Sequence, residues 1–276
     1  MSTHKILDFG TGTHWAFRFL QSLAQKKGLD WVFEHHDEFS MQALGGATAA
    51  FVDPLKSPTI LPLFHVVPTQ VRAVEILDSL FSDHGGWYPR LLIHEVLRRV
   101  FVAEARDLDI RAPAFVIGDG PLCRVAAAVI AEMGVSEIFL VGERADLEIQ
   151  KKILSRSQLG IAFHVLAVEE LTMQATSAGI VVNTADLSSQ KALLTDLSYF
   201  NFMKQSGFAL DLSSVMESNT LLDEARRADL RVLPYTLVMK SLMRLWLERL
   251  GADDLITDEE IVQLWSDFLK ENPSSV

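Results

Sequence analysis

The feature that most constrains the fold is a tight glycine turn between a short apolar strand and a helix. The segment Val116–Ala126 reads VIGDGPLCRVA, so an apolar run leads into Gly118-Asp119-Gly120 and a helical pattern follows at once. Proline is tolerated in the first turn of a helix, which suits Pro121, and Gly134 stands just past the predicted helix end. A strand that turns on glycine directly into a helix indicates a βαβ unit.

Apolar runs alternate with amphipathic ones after this turn, which favours a parallel sheet covered on both faces. This region is therefore predicted to be an α/β domain of the Rossmann type. Helices are predicted at Pro121–Met133 and Asn219–Ala228. Strands are predicted at Ala114–Ile117, Glu137–Val141, Ala162–Leu166, Ile180–Asn183, Phe208–Asp211 and Arg231–Leu233.

The flanking regions also predict alternating strands and helices. Pro58–Gly86 gives no clear prediction, and Thr257 with Glu260 forms a capping-box pattern before the last helix. Strands are predicted at Lys5–Phe9, Trp31–His35 and Ala47–Val52. Helices are predicted at Trp15–Lys27, Pro89–Arg106, Leu237–Leu250 and Asp258–Lys270.

The composition narrows the classes of partner. The 276 residues carry a formal net charge of −11, which repels nucleic acid and anionic lipid, so we expect neither nucleic acid nor a membrane as main partner. The single cysteine excludes an intrachain disulfide, and the first residues lack the apolar core of a signal peptide. We expect a soluble cytoplasmic protein that acts on a small molecule and can form a homodimer.

The glycine turn predicts a dinucleotide site, because the N–H groups and dipole at a helix start favour a pyrophosphate. Gly118, Gly120, Pro121 and Leu122 would lie against it. Two observations weaken the motif, since Cys123 replaces the third glycine and Asp119 adds a negative charge.

The end of the next predicted strand leaves the choice between NAD and NADP open. Glu143 could accept hydrogen bonds from a ribose 2′-hydroxyl, which favours NAD, whereas Arg144 could pair with a 2′-phosphate, which favours NADP.

In this order the segments resemble the shikimate dehydrogenase family. Gly118–Arg124 (GDGPLCR) is similar to the family's G-A-G-G-A-x-R, and Arg144 matches the arginine of its Asn-Arg-Thr. Ala178–Thr184 (AGIVVNT) is similar to A-D-I-V-I-N-A/T-T, which implies that Asn183 and Thr184 lie near the nicotinamide. Asp211 stands where the family has its Y-D, and the resemblance implies a substrate contact there.

In the first half the resemblance is looser. Phe51–Lys56 (FVDPLK) looks like the family's V-T-x-P-H/F-K, which implies that Lys56 is the catalytic lysine. Glu75 replaces a substrate-binding asparagine. The family's Ser-x-Ser is absent, with Thr11 and Thr13 nearby but displaced.

The segment that carries the family's catalytic aspartate is absent too. Its place falls near His94 and Glu95, which also fit the predicted helix as ordinary surface residues. The substrate-binding glutamine falls near Lys240, which could bind a carboxylate if it faces a cleft. His35-His36-Asp37-Glu38 looks like a metal cluster but is better interpreted as a polar strand end, since adjacent strand residues point to opposite faces.

The resemblance implies two α/β domains with a cleft between them: a substrate domain at 1–100 plus 237–276 and a Rossmann domain at 101–236. It also implies an NAD(P)-dependent oxidoreductase for a hydroxy or keto compound, and the family together with Arg144 gives a lean to NADP. Because the substrate positions differ, we expect shikimate to be a poor substrate or none. A non-catalytic binding module is the alternative. The loop Asp8–Thr13 looks superficially like that of a methyltransferase, but the strand order that follows does not fit one.

Overall fold

The computed structural model describes residues 3–174, 177–186, 200–216 and 219–272. The chain divides into two compact units. Unit 1 comprises Met1–Val96 and Met239–Val276, and unit 2 comprises Leu97–Val238. Within the described residues, no helix combines the length and the apolarity that crossing a membrane requires.

Unit 1 is built on a five-stranded sheet of order β2-β1-β3-β4-β5. The first three strands are parallel, and β4 and β5 add an antiparallel hairpin to β3. The strands are β1 (His4–Phe9), β2 (Trp31–His36), β3 (Ala49–Val52), β4 (Ser79–Asp83) and β5 (Gly86–Arg90). The carboxyl ends of β1, β2 and β3 therefore meet at one edge of this sheet.

The helices of the first 104 residues are α1 (Trp15–Lys26), α2 (Ser57–Ile60), α3 (Thr69–Val74) and α4 (Leu92–Glu104). The prediction that a helix starts at Pro89 is wrong, because Pro89 and Arg90 belong to β5. The helix starts at Leu92, where the carboxylate of Asp78 accepts the N–H groups of Leu92 (2.8 Å) and Ile93 (2.7 Å). Burial raises the pKa of Asp78, and these hydrogen bonds oppose that rise.

The C-terminal helices are α8 (Tyr235–Arg249) and α9 (Asp258–Glu271). The ring of Trp246 on α8 stacks on Phe51 of β3 at 3.8 Å between centroids. On α9, the ring of Trp265 lies 5.2 Å from Trp15 and 5.1 Å from Phe19 of α1. The predicted return of these helices to the first domain is therefore confirmed, as is the capping box at Thr257.

Unit 2 contains a six-stranded, wholly parallel sheet of order β11-β10-β9-β6-β7-β8. The strand order reverses between β6 and β9, which is the doubly wound arrangement predicted from the apolar runs. The strands are β6 (Ala114–Ile117), β7 (Glu137–Val141), β8 (Ala162–Leu166), β9 (Ala178–Asn183), β10 (Met203–Asp211) and β11 (Arg231–Leu233). The helices described here are α5 (Pro121–Glu132), α6 (Arg144–Ser157) and α7 (Thr220–Arg227).

Candidate functional site

The glycine turn lies at the carboxyl edge of the unit 2 sheet, where β6 passes into α5. Gly118 has φ +115°, and a Cβ atom there would lie 2.3 Å from Oγ1 of Thr184 and 3.0 Å from the main-chain nitrogen of Ala185. Thr184 is fixed in turn, because its hydroxyl donates to the carbonyl of Ile117 at 2.8 Å. Only glycine fits the first position of this turn, because the turn packs closely against the residues that follow β9.

Gly120 differs from Gly118, because its φ is −80° and a Cβ atom there would have no neighbour within 4 Å. It is the N-cap of α5, with Pro121 and the half-buried Leu122 in the first turn. The amide groups of a first helical turn have no acceptor within the helix. Open space beside Gly120 lies at the helix start, where the strand order reverses between β6 and β9, and this arrangement fits the pyrophosphate of a dinucleotide.

A cavity of about 280 Å³ continues from the turn towards the ends of β7 and β8. Its charged lining residues are Asp119, Glu143, Arg144 and Glu169, so carboxylates outnumber the single guanidinium. Gln150 holds the turn from α6 by donating to the carbonyl of Asp119 at 2.9 Å. A cavity of this charge is better suited to ribose hydroxyls than to a further phosphate.

Arg144 is engaged by Glu170, a partner that the sequence did not indicate. Its Nη2 lies 3.0 Å from Oε1 and 2.9 Å from Oε2 of Glu170. Glu170 is itself fixed, because its Oε2 accepts the main-chain N–H of Ala167 at 2.7 Å. The exposed Glu143, at the N-cap of α6, lies directly before Arg144 in the chain.

Asn183 and Asp211 form a buried polar network at the ends of β9 and β10. The amide of Asn183 donates to Oδ1 of Asp211 at 2.9 Å and to Oγ of Ser213 at 3.0 Å. Asp211 also accepts from the main-chain nitrogen of Ser213 (2.9 Å), its hydroxyl (2.7 Å) and the amide of Asn219 (2.7 Å). This network fixes the two strand ends. Asp211 is only 3% exposed, and its carboxylate is used in hydrogen bonds within the protein.

Buried near this network, Tyr235 has a raised pKa, chiefly through burial and then through the charge of Asp211. Cys123 is fully buried in α5, and burial followed by the charge of Asp119 raises the pKa of its thiol to about 12. A thiol in that environment stays protonated, so Cys123 is a packing residue of the helix.

Lys56 ends a turn of 3-10 helix, Pro54–Lys56, that follows β3 and is capped by the carboxylate of Asp53. Its ammonium donates to the main-chain carbonyl of Asp37, just beyond β2. Lys56 is thereby held at the carboxyl edge of the unit 1 sheet, where the resemblance expects a catalytic lysine. Thr11 and Thr13 are exposed on the loop between β1 and α1 at the same edge.

Four other residues of unit 1 were predicted to belong to the site, and the structure gives each of them its own environment. His94 is only 2% exposed, so its interpretation as a surface residue is wrong, and Glu95 lies 3.8 Å from Arg249 in an ion pair. The exposed Glu75 ends α3 in a left-handed conformation, with φ +54°. The ammonium of Lys240 lies 3.4 Å from a carboxylate oxygen of Asp258, so it links α8 to the start of α9.

Sequence reasoning missed one cluster on unit 1. The buried carboxylate of Asp8 contacts the rings of His14 and His35 at the ends of β1 and β2. The register that pairs Asp8 with His35 was the missing information. Among the described residues, the structure shows no group of three or more His, Cys, Asp or Glu side chains that could hold a metal ion.

Unit 2 has a doubly wound sheet with a glycine turn, and unit 1 has a mixed sheet. These two sheets define the two-domain fold of the shikimate dehydrogenases. Quinate dehydrogenase from Corynebacterium glutamicum, solved with NAD, superposes with a TM-score of 0.74 at 13% identity, over 97% of this chain and 98% of that one. Shikimate 5-dehydrogenase from Thermus thermophilus, solved with NADP(H) and shikimate, gives 0.70 at 14% identity, over 98% and 100%. Ligand-free 5-ketofructose reductase from a Gluconobacter strain gives 0.73 at 11% identity, over 97% and 99%.

The sequence itself matches no family model and no curated protein. Sequence identities this low show a common fold along the whole length and leave the reaction to be argued from the residues.

Proposed function

We propose that the chain is an NAD(P)-dependent dehydrogenase that interconverts a hydroxyl and a carbonyl group on a small molecule. The observation that carries the proposal is the turn at Gly118 and Gly120. One glycine is required by the close approach of Thr184, and the other leaves open space at the start of α5. Dinucleotides bind at this switch point in doubly wound sheets.

Backbone groups of Gly118, Gly120 and Leu122 would hold the pyrophosphate, and Glu143 would accept the ribose hydroxyls. Asn183 and Thr184 would shape the nicotinamide end, since both are fixed at the end of β9. The bound cofactor supplies hydride transfer.

On unit 1, Lys56 would move the proton of the substrate oxygen, which is the role the resemblance gives it. Its ammonium is held at the strand edge by the carbonyl of Asp37. The family's Ser-x-Ser has no counterpart there, and each lost hydrogen bond to a polar substrate costs about 1–3 kcal/mol. We therefore expect turnover of a compound other than shikimate.

NAD is the cofactor that the cavity favours, against the lean to NADP that the resemblance and Arg144 suggested. The guanidinium of Arg144 already meets both carboxylate oxygens of Glu170. A 2′-phosphate would have to displace Glu170 and approach the carboxylates of Glu143 and Glu169, which line the same cavity. Burying one more anion among carboxylates is unfavourable.

Two measurements test the proposal. NADH and NADPH are titrated against the protein by fluorescence, and then NAD- and NADP-linked turnover is assayed with quinate, shikimate and 5-ketofructose. Loss of turnover in Lys56→Ala is expected, with Lys27→Ala as the control, because Lys27 forms an ion pair with Glu260 on another side of unit 1.

Failure to bind either cofactor would favour the alternative, a non-catalytic binding module, which the negative charge of Asp119 beside the turn motivates. Robust oxidation of shikimate would contradict the substrate claim. Unchanged activity in Lys56→Ala would contradict the role of the lysine.

A further inference from the structure

The carboxylate of Asp8 is fully buried at the end of β1 and holds two histidine rings. Its Oδ1 contacts Nδ1 of His14, and its Oδ2 lies 3.0 Å from Nδ1 of His35. The same Oδ2 accepts the main-chain N–H of His14 at 3.1 Å. Because a buried carboxylate accepts hydrogen bonds, it selects the ring form that carries a proton on Nδ1.

His14 is placed by the backbone as well as by Asp8. It is the N-cap of α1, and a Cβ atom on Gly10 would lie 2.9 Å from Cε1 of its ring. Gly10 therefore leaves the space that the imidazole occupies. With the helix start and Asp8 on one side and Gly10 on the other, the orientation of the ring is set by the fold.

The outer nitrogen of His14 remains available for a ligand. The side chain is 28% exposed, and within the described part of the chain Nε2 has no hydrogen-bond partner. When Nδ1 donates to Asp8, a neutral imidazole keeps a lone pair on Nε2, which is a hydrogen-bond acceptor. The second ring differs, because Nε2 of His35 already lies 3.3 Å from Asp37.

Further acidic side chains stand at the sheet edge that carries Asp8 and His14. Three aspartates stand at the ends of β1, β2 and β3: Asp8, Asp37 and Asp53. The ammonium group of Lys56 lies beside them, on the carbonyl of Asp37. Three carboxylates and one ammonium group therefore stand at this sheet edge. Such a field repels an anionic ligand and tolerates an uncharged one.

We infer that His14, oriented by Asp8, is a binding residue for a hydroxyl group of an uncharged polyhydroxy ligand at this edge. The inference rests on the proposed function for the place of His14 in a reaction. There His14 orients the substrate hydroxyl, a role for which the family uses the aspartate that this sequence lacks. His14 touches the ligand through Nε2, and Asp8 is a positioning residue.

Histidine-specific ¹⁵N labelling of the full chain tests the inference without turnover. Long-range proton–nitrogen spectra in mildly alkaline buffer should show the proton of His14 on Nδ1, and Asp8→Asn should move it towards Nε2. Titration with 5-ketofructose and fructose should shift the Nε2 signal at lower concentration than titration with quinate or shikimate.

Variants separate a ligand contact from a structural role. His14→Gln should raise the dissociation constant of the uncharged probe about tenfold or more, an effect of the size expected for one good hydrogen bond. His36→Gln is the matched control, because His36 stacks on Phe9 and pairs with Glu34 without contacting Asp8, and it should change that constant less than twofold.

The inference is overturned by a proton on Nε2 of wild-type His14, by tighter binding of the carboxylate probes, or by no response to any probe. All titrations are run with and without NADH. Absence of NADH binding alongside a normal His14 response would sink the proposed dehydrogenase function and leave the hydroxyl site intact.

Discussion

Gly118 and Thr184 are in such close contact that a Cβ atom on the glycine would lie 2.3 Å from the threonine hydroxyl oxygen. The backbone of Gly118 also has a positive φ of 115°, which side chains disfavour. Gly118→Ala should therefore lower the free energy of unfolding by at least about 2 kcal/mol, the sum of backbone strain and overpacking. Urea unfolding followed by circular dichroism measures the change.

Gly120→Ala is the matched comparison two residues on. A Cβ atom there has no neighbour within 4 Å, so stability should stay within about 0.5 kcal/mol. The dissociation constant of NADH should nevertheless rise about tenfold or more, because a methyl group would stand where the pyrophosphate approaches. Unchanged NADH binding in this stable variant would exclude the pyrophosphate from the turn.

Glu170 should set the preference between the two cofactors. Glu170→Gln removes the charge that neutralises Arg144, so NADPH affinity should increase about tenfold while NADH affinity changes little. Arg144→Ala should then weaken NADPH more than NADH in the Glu170→Gln background. Fluorescence titration of both cofactors gives the ratio.

The control is Glu169→Gln, which removes a neighbouring carboxylate of the same cavity. It should improve NADPH affinity less than Glu170→Gln does, because the contacts of Arg144 with Glu170 remain. Equal effects of the two variants would mean that the overall charge of the cavity sets the NADPH affinity and that the contact between Arg144 and Glu170 does not.

Asp211 should matter for stability more than for substrate binding. It accepts four hydrogen bonds from Asn183, Ser213 and Asn219. Asp211→Ala removes an acceptor from the buried amide of Asn183 and from the half-buried amide of Asn219, and a buried group left unsatisfied costs about 1–3 kcal/mol. We expect a loss of about 2–3 kcal/mol in urea unfolding, whereas Ser213→Ala, which removes one exposed hydroxyl, should cost less than about 1 kcal/mol. A stable Asp211→Ala variant would argue against the structural role.

The parts of the fold that could be predicted from sequence are those set by local pattern. The apolar runs gave the strands of unit 2, and Gly118 marked the turn, because backbone conformation and burial leave a signal within a few residues. The start of α4 was missed for the opposite reason. Asp78 caps that helix from 14 residues away, and Pro89 pairs with Leu80 in a hairpin.

The same limit applies to the candidate site. Lys56 and Gly120 could be placed by motif, but the partner of Arg144 lies 26 residues away and that of His35 lies 27 residues away. Both pairs depend on which strand ends meet, and strand order is a property of the whole sheet. The metal-like cluster at His35 was correctly interpreted as a strand end, yet the register that joins it to Asp8 could not be read from sequence.

Asp258 should stabilise the C-terminal helix pair in a pH-dependent way. Hydrogen bonds from Arg244, then the nearby charges of Arg244 and Lys240, lower the pKa of this carboxyl below its usual value. A folded-state pKa below the unfolded one contributes stability above the unfolded pKa of about 3.9, and that stability is lost as pH falls through the folded value. Because the side chain is 47% exposed, solvent screening limits the contribution to about 1 kcal/mol.

Asp258→Asn should therefore lower the free energy of unfolding by about 1 kcal/mol at neutral pH, and the difference from wild type should shrink towards zero in strong acid. Asp254→Asn is the control, because it removes an exposed charge from the segment between the two helices, and its effect should be smaller at every pH. Urea titrations over a series of pH values give both curves. A difference between Asp258→Asn and wild type that persists in strong acid would show that the carboxylate charge is not the source of the stabilisation.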